Sequence, residues 1–136
     1  MQTLLFITGL SLFLLGLLSG FLTPVLKNPR MGLSSHLEGT LNGMFLIVLG
    51  LLWPWVQVTS GWERTAVALV VYAAYANWLA TLLSAWWGAG RGMMPIAGGD
   101  HEASRVKEFV VRFLLITLGA AIVVGVAIIL FGVVRS

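Results

Sequence analysis

Residues 113–134 read FLLITLGAAIVVGVAIILFGVV, 22 positions between Arg112 and Arg135 without a charged side chain. About 20 apolar residues in a row are enough to cross a bilayer as a helix, so this stretch decides the class of the protein. Working outward, three more charge-free runs cover residues 1–26, 39–62 and 65–90, with lengths of 26, 24 and 26 residues. Four such runs use most of the 136 residues, and only 10% of the chain is charged, against about a quarter in a soluble domain. The expected fold is an all-α integral membrane protein. It is a single-domain four-transmembrane-helix bundle with spans near residues 3–22, 36–56, 65–87 and 109–134.

A net charge of +3 invites the thought of nucleic acid, yet the eight Lys and Arg sit at segment ends, where membrane topology signals belong. No nucleic-acid partner is expected. With no cysteine in the chain, thiol chemistry, disulfides and zinc–thiolate sites are excluded. The first apolar run lacks a basic start and exceeds a signal-peptide core, so it reads as a span. Lys27, Arg30, Arg91, Arg105, Lys107 and Arg112 flank the connections between segments 1 and 2 and between segments 3 and 4, leaving Arg64 and Arg135 on the other side. The positive-inside rule puts those two connections in the cytoplasm and both termini outside.

In segment 1, Gly16 and Gly20 have the spacing of a close helix-packing or oligomer face. Pro24 and then Asn28-Pro29 are expected to end it. Ser35 and Glu38 have capping-box spacing, which starts segment 2 near Ser35 and places His36 in its first turn. Residues 57–64 make a short hairpin loop to segment 3. There Tyr72, Tyr75, Asn77, Thr81 and Ser84 interrupt the apolar run. Trp53, Trp55, Trp62, Trp86 and Trp87 lie near segment ends as an interface belt, whereas Trp78 belongs inside. The Gly-rich connection 88–108 suits a lid or a mobile loop. Segment 4, with only Thr117 as a polar interruption, is scaffold.

Polar groups within a bilayer are costly and therefore functional candidates. On a helix, Gly39, Thr40 and Gly43 lie within about 60° of His36. That is either a flat seat for a porphyrin with His36 reaching its iron, or a glycine packing seam with His36 among the lipid headgroups. Glu38 and Asn42 share another face, Glu38 as a helix cap and Asn42 too deep for that role. Asn42 and Asn77 can both donate and accept, as holding an oxygen-bearing substrate requires. Tyr72 and Tyr75 are either proton donors or packing residues. Asp100-His101-Glu102 contains metal-ligand types without metal-ligand spacing. There is no phosphate loop, nucleophile elbow or His-Glu-x-x-His. The interiors of the four expected spans hold no carboxylate, which speaks against a cation–proton antiporter. A haem-carrying electron-transfer subunit and a cofactor-free structural or transport protein remain open from the residues alone.

Leu33-Ser-Ser-His36-Leu-Glu-Gly-Thr-Leu-Asn42-Gly-Met, preceded by Asn28-Pro-Arg-Met, closely resembles the hydroxylaminobenzene mutases, small bacterial membrane proteins of about this length. The resemblance implies a Bamberger-type rearrangement used in nitroarene breakdown. An aryl hydroxylamine, a small aromatic substrate, becomes an ortho-aminophenol at an enzyme of the bacterial inner membrane. The His-x5-Asn-Gly-Met spacing is also similar to that of the styrene oxide isomerases. Those imply ferric haem b as Lewis acid, a homotrimer embedded in lipid, a segment-2 histidine on the iron and an asparagine holding substrate oxygen. His36 and Asn42 match that pattern. Aligned on Asn77, Thr81 stands where that family has its tyrosine and Ala73 where it has an aspartate, which argues against epoxide isomerisation and leaves any general acid among Tyr72, Tyr75 and Glu38. The expected site is thus His36, Gly39, Thr40 and Gly43 for haem, with Asn42, Asn77 and Tyr75 for the substrate, and Trp78 and Phe45 against its ring.

Overall fold

A computed structural model describes residues 1–136. It contains α1 (Gln2–Leu22), α2 (Pro29–Leu52), α3 (Ser60–Trp87), a single turn α4 (Pro95–Gly98) and α5 (Arg105–Val134), with 3-10 turns at Thr23–Val25 and Trp53–Trp55. The four long helices have 21, 24, 28 and 30 residues. At 1.5 Å per residue each is about 30–45 Å long, and each is apolar enough to cross a membrane.

The helix starts differ from expectation, most at α2. Asn28 is its N-cap, with Oδ1 accepting from the backbone N–H of Arg30 at 3.1 Å and of Met31 at 3.3 Å. Pro29 follows at the first helical position, where a missing N–H costs nothing. The Asn-Pro pair therefore begins a helix, and Ser35 and Glu38 are no capping box: both lie inside α2. Glu38 is thus a carboxylate well within a span, and the argument from carboxylate-free spans does not hold. At the last helix, Ser104 caps α5 by accepting from Lys107 N–H, so α5 begins before the expected Phe109. Gly88 closes α3 with φ of 70°, a left-handed cap that glycine adopts freely.

Helix α2 lies between α1 and α3, and α5 packs on α3. Glycines set the α1–α2 distance. A Cβ on Gly16 would stand 2.5 Å from Thr40 N, and one on Gly9 would stand 2.8 Å from Gly43 O. Between membrane helices close backbone approach replaces hydrophobic collapse as the source of attraction. The core proper gathers Leu5, Leu12, Leu46, Leu49, Trp53, Val67, Val70 and Ile129. Only 34 of 136 residues are buried, and the exposed ones include Phe21, Leu41, Val123 and Phe131, as faces turned to lipid or to another subunit require.

The long connection is tied down rather than free. Asn28 Nδ2 donates to Ala97 O at 2.9 Å, and Lys27 Nζ donates to Trp87 O and Glu102 O. Gly90 N–H donates to both Glu108 carboxylate oxygens at 3.0 Å.

Candidate active site

His36 sits two turns inside α2 and leans on α1. Its Nδ1 lies 2.9 Å from Gly16 O. Gly20 makes room for the ring, since a Cβ there would stand 2.7 Å from Nδ1. A carbonyl can only accept, so Nδ1 carries a proton and donates, and in the neutral imidazole the lone pair is then on Nε2. No protein group bonds Nε2. Because no buried side-chain nitrogen or oxygen lacks a partner, Nε2 opens outward. A backbone carbonyl that fixes one ring nitrogen and leaves the other open is the arrangement of metal-ligating histidines, so His36 is a residue that could hold a haem iron. The expected seat does not. Gly39 and Gly43 face the backbone of α1 at Gly16 and Phe13, and Thr40 Oγ1 turns back onto His36 O at 2.9 Å. These three residues form a packing seam, because only side chains this small let α1 approach.

The polar centre lies on the opposite flank of α2. Glu38 Oε2 accepts from Asn42 Nδ2 at 3.0 Å and from Asn77 Nδ2 across the helix interface. Asn42 Nδ2 also donates to Glu38 O at 2.8 Å, the i to i+4 geometry of one helical turn. The two asparagines singled out from sequence are thus brought together, and the carboxylate that joins them is the residue that sequence reasoning spent as a cap. Reading Asn28-Pro29 as N-cap and first position would have moved the helix start and placed Glu38 at depth.

His36 and Asn42 are six residues apart, so they project about 120° from each other. The buried stripe of Ser35, Gly39, Gly43 and Leu46 runs between them. Within one chain they do not face a common space. Trp78 belongs to the stripe: it packs on Gly39 and its Nε1 donates to Ser19 Oγ at 3.4 Å. Phe45 is half-buried and sits one turn beyond Asn42.

The tyrosines go elsewhere. Tyr75 donates to Thr8 O on α1 at 2.9 Å, and Tyr72 OH pairs with Thr117 Oγ1 on α5 at 2.6 Å. Tyr75 is two residues from Asn77 and therefore points about 160° away from it, so it does not join the substrate residues as expected. Thr81 is buried and donates to Asn77 O and Trp78 O of its own helix. In the loop, His101 Nδ1 lies 3.1 Å from Gly98 O and Glu102 pairs with Arg91 at 3.7 Å. A cavity of about 1070 Å³ lies between the start of α3 and the end of α5, lined by Gln57, Trp62, Val123, Phe131 and Arg135 among others. None of the expected haem or substrate residues lines it. Size alone does not make a site, and the convergent polar groups are at Glu38.

Four membrane-length helices with a carboxylate and two amides meeting inside them define a multi-pass membrane protein with an intramembrane polar site. The family model for styrene oxide isomerase matches residues 1–134, and the chain belongs to that family. Hydroxylaminobenzene mutase HabB of Ectopseudomonas oleovorans is 54% identical over 124 residues, covering 91% of this chain and 76% of that protein. Hydroxylaminobenzene mutase HabA of the same organism is 50% identical over 135 residues, covering 99% and 100%. No solved structure matches the chain. The protein is an isomerase of the mutase type.

Proposed function

We propose that this protein converts hydroxylaminobenzene, or a ring-substituted relative, to the corresponding 2-aminophenol by moving the hydroxyl group from nitrogen to the ortho ring carbon. The observation that carries the reading is the meeting of Asn42 and Asn77 inside the spans, in a chain half-identical along its length to a hydroxylaminobenzene mutase. Substrate and product are isomers. The N–O bond breaks, a C–O bond forms at the ortho position, and one proton moves from that carbon to nitrogen. No electron donor is needed.

Asn42 and Asn77 would hold the N–O group near the ortho carbon, converting a chance encounter into a positioned one. Phe45 would lie against the ring. The surrounding apolar faces would keep water from the electron-poor ring that forms as the N–O bond weakens. His36 would hold ferric haem b through Nε2, and the bound haem would supply Lewis-acid polarisation of the N–O group. The divergence of His36 from the amides supports a homo-oligomer, a trimer by resemblance, in which the His36 flank of one subunit meets the Glu38 flank of the next. The basic residues gathered around Lys27 and Arg105 support cytoplasmic placement of that end in a bacterial inner membrane.

Detergent-purified protein given hydroxylaminobenzene should yield 2-aminophenol. Recovery of unchanged substrate, or of the para isomer, would overturn the reading. An absorption spectrum of wild type against His36→Ala tests the cofactor: a Soret band unchanged in the variant would remove His36 as ligand. The family match raises epoxide isomerisation as a second reading. The self-bonded Thr81 weighs against it, and turnover of styrene oxide at a rate comparable with hydroxylaminobenzene would favour it.

A further inference from the structure

The Glu38 cluster has a polarity that the proposed rearrangement does not by itself require. Asn42 Nδ2 spends both of its N–H groups on Glu38, and Asn77 Nδ2 spends one. Their Oδ1 atoms and Glu38 Oε1 make no hydrogen bond in the chain. No buried side-chain nitrogen or oxygen is without a partner, so these three oxygens open outward from the α2–α3 interface. Three free acceptors therefore gather around Glu38, against a single N–H left over on Asn77 Nδ2.

At this depth there is a strong demand for partners. Glu38 is the tenth residue of α2, and Asn77 lies some ten residues from the end of α3, so each is about 14–15 Å from its helix terminus. An acceptor left facing hydrocarbon costs several kcal/mol. A ligand bearing several N–H and O–H groups removes that cost, and one bearing only lone pairs adds to it. An aryl hydroxylamine offers one N–H and one O–H, and an aminophenol offers three donors. An epoxide offers none.

We propose that Glu38, with Asn42 and Asn77, forms an acceptor-rich niche that selects small aromatic ligands by their N–H and O–H donors, making Glu38 a specificity-determining residue for aryl hydroxylamine against epoxide. The inference deepens the mutase reading and rests on it for the identity of the substrate. It also gives Glu38 a reason to be inside a span, where a carboxylate is otherwise a liability. The carboxylate does two things there. Its Oε2 turns both amides nitrogen-inward, and its Oε1 adds the third acceptor.

The test compares two ligands on full-length protein in detergent by calorimetric titration: 2-aminophenol, rich in donors, and nitrosobenzene, with acceptors only. Wild type should prefer 2-aminophenol by about a hundredfold, since a site built for donors rejects an analogue lacking them. Glu38→Gln keeps the shape and the contact to both asparagines but puts an amide N–H where Oε1 was. It should cut that preference by about tenfold, the worth of one reversed hydrogen bond. It should raise KM for hydroxylaminobenzene with little change in kcat, and leave any Soret band in place. Glu38→Leu should abolish the preference; should it not fold, Glu38→Gln still decides. An unchanged preference in a folded Glu38→Gln protein would overturn the niche, and if such protein still makes 2-aminophenol, the mutase reading stands without it. Wild type that binds 2-aminophenol selectively through Glu38 yet turns over no hydroxylaminobenzene would keep the niche and remove the activity.

Discussion

The flank of α2 that meets α1 is built from what is missing, and the flank that meets α3 from what is added. Towards α1 the residues are Gly39 and Gly43, pressed so close that no Cβ fits on either. Towards α3 they are Glu38 and Asn42, joined to Asn77. The first flank gains dispersion contact over bare backbone. The second carries polar groups into an apolar medium and satisfies them only in part. One 24-residue helix thus packs tightly on one side and presents polar groups on the other. A change on the first flank should act on folding, and a change on the second on function.

The largest effect should come from Gly39→Leu. Its side chain would meet Gly16 and the Trp78 ring, and nothing there is a flexible chain end that can give way. Overpacking of this kind costs about 1–3 kcal/mol and more where backbone is the obstacle. We expect loss of monodisperse protein on size-exclusion chromatography. A Gly39→Leu protein that remained folded and active would show that the α1–α2 seam is not the structural half of the helix.

His36 belongs to the seam by its Nδ1 and, on the proposed reading, would serve function by its Nε2, so His36→Ala sharpens the division. Loss of the bond to Gly16 O should cost about 1 kcal/mol of stability, visible as a small drop in melting temperature. Activity should fall on the order of a thousandfold, the scale of several kcal/mol of lost charge stabilisation. A fall in stability as large as that of Gly39→Leu would assign His36 to packing alone.

On the other flank, Asn77→Leu should reduce kcat/KM for hydroxylaminobenzene on the order of tenfold to a hundredfold, as removal of one or two substrate hydrogen bonds would. The thermal transition should move little, because Asn42 still donates to Glu38. Folded protein with wild-type kinetics would leave the amides without a role in turnover.

Much of this division was legible in the sequence, and the part that was not has a specific cause. The four spans, the packing use of the glycines as one of two readings, and the singling out of Asn42 and Asn77 as polar groups inside the spans all follow from charge-free length and from the cost of polar groups in lipid. The boundary of α2 did not follow, because Asn-Pro satisfies the rules for ending a helix as well as those for starting one. Only the buried Asn28 side chain, accepting from Arg30 and Met31 while donating to Ala97, decides between them. That error placed Glu38 at the helix start. The porphyrin seat failed for a different reason. Helical angle says which residues share a face, but what fills that face is a tertiary fact, and α1 fills it.

The smallest effect should come from Tyr75→Phe, and it tests whether the functional flank ends at Glu38 and the two amides. Tyr75 was expected among the substrate residues with Asn42 and Asn77, yet its hydroxyl donates to Thr8 O. Two residues along a helix turn the side chain to the opposite side. Deleting that hydroxyl removes one interhelical bond, which in a membrane protein is worth about 0.6 kcal/mol and rarely more than about 1.7. Thr8 O is not stranded by the loss, since a carbonyl in a helix already accepts from its own turn. Turnover of hydroxylaminobenzene should therefore stay within about twofold, with a slight loss of thermal stability. A hundredfold loss of kcat at unchanged stability would mean that Tyr75 reaches the substrate after all. The boundary drawn along α2 would then have to be redrawn to include the side of α3 that faces α1.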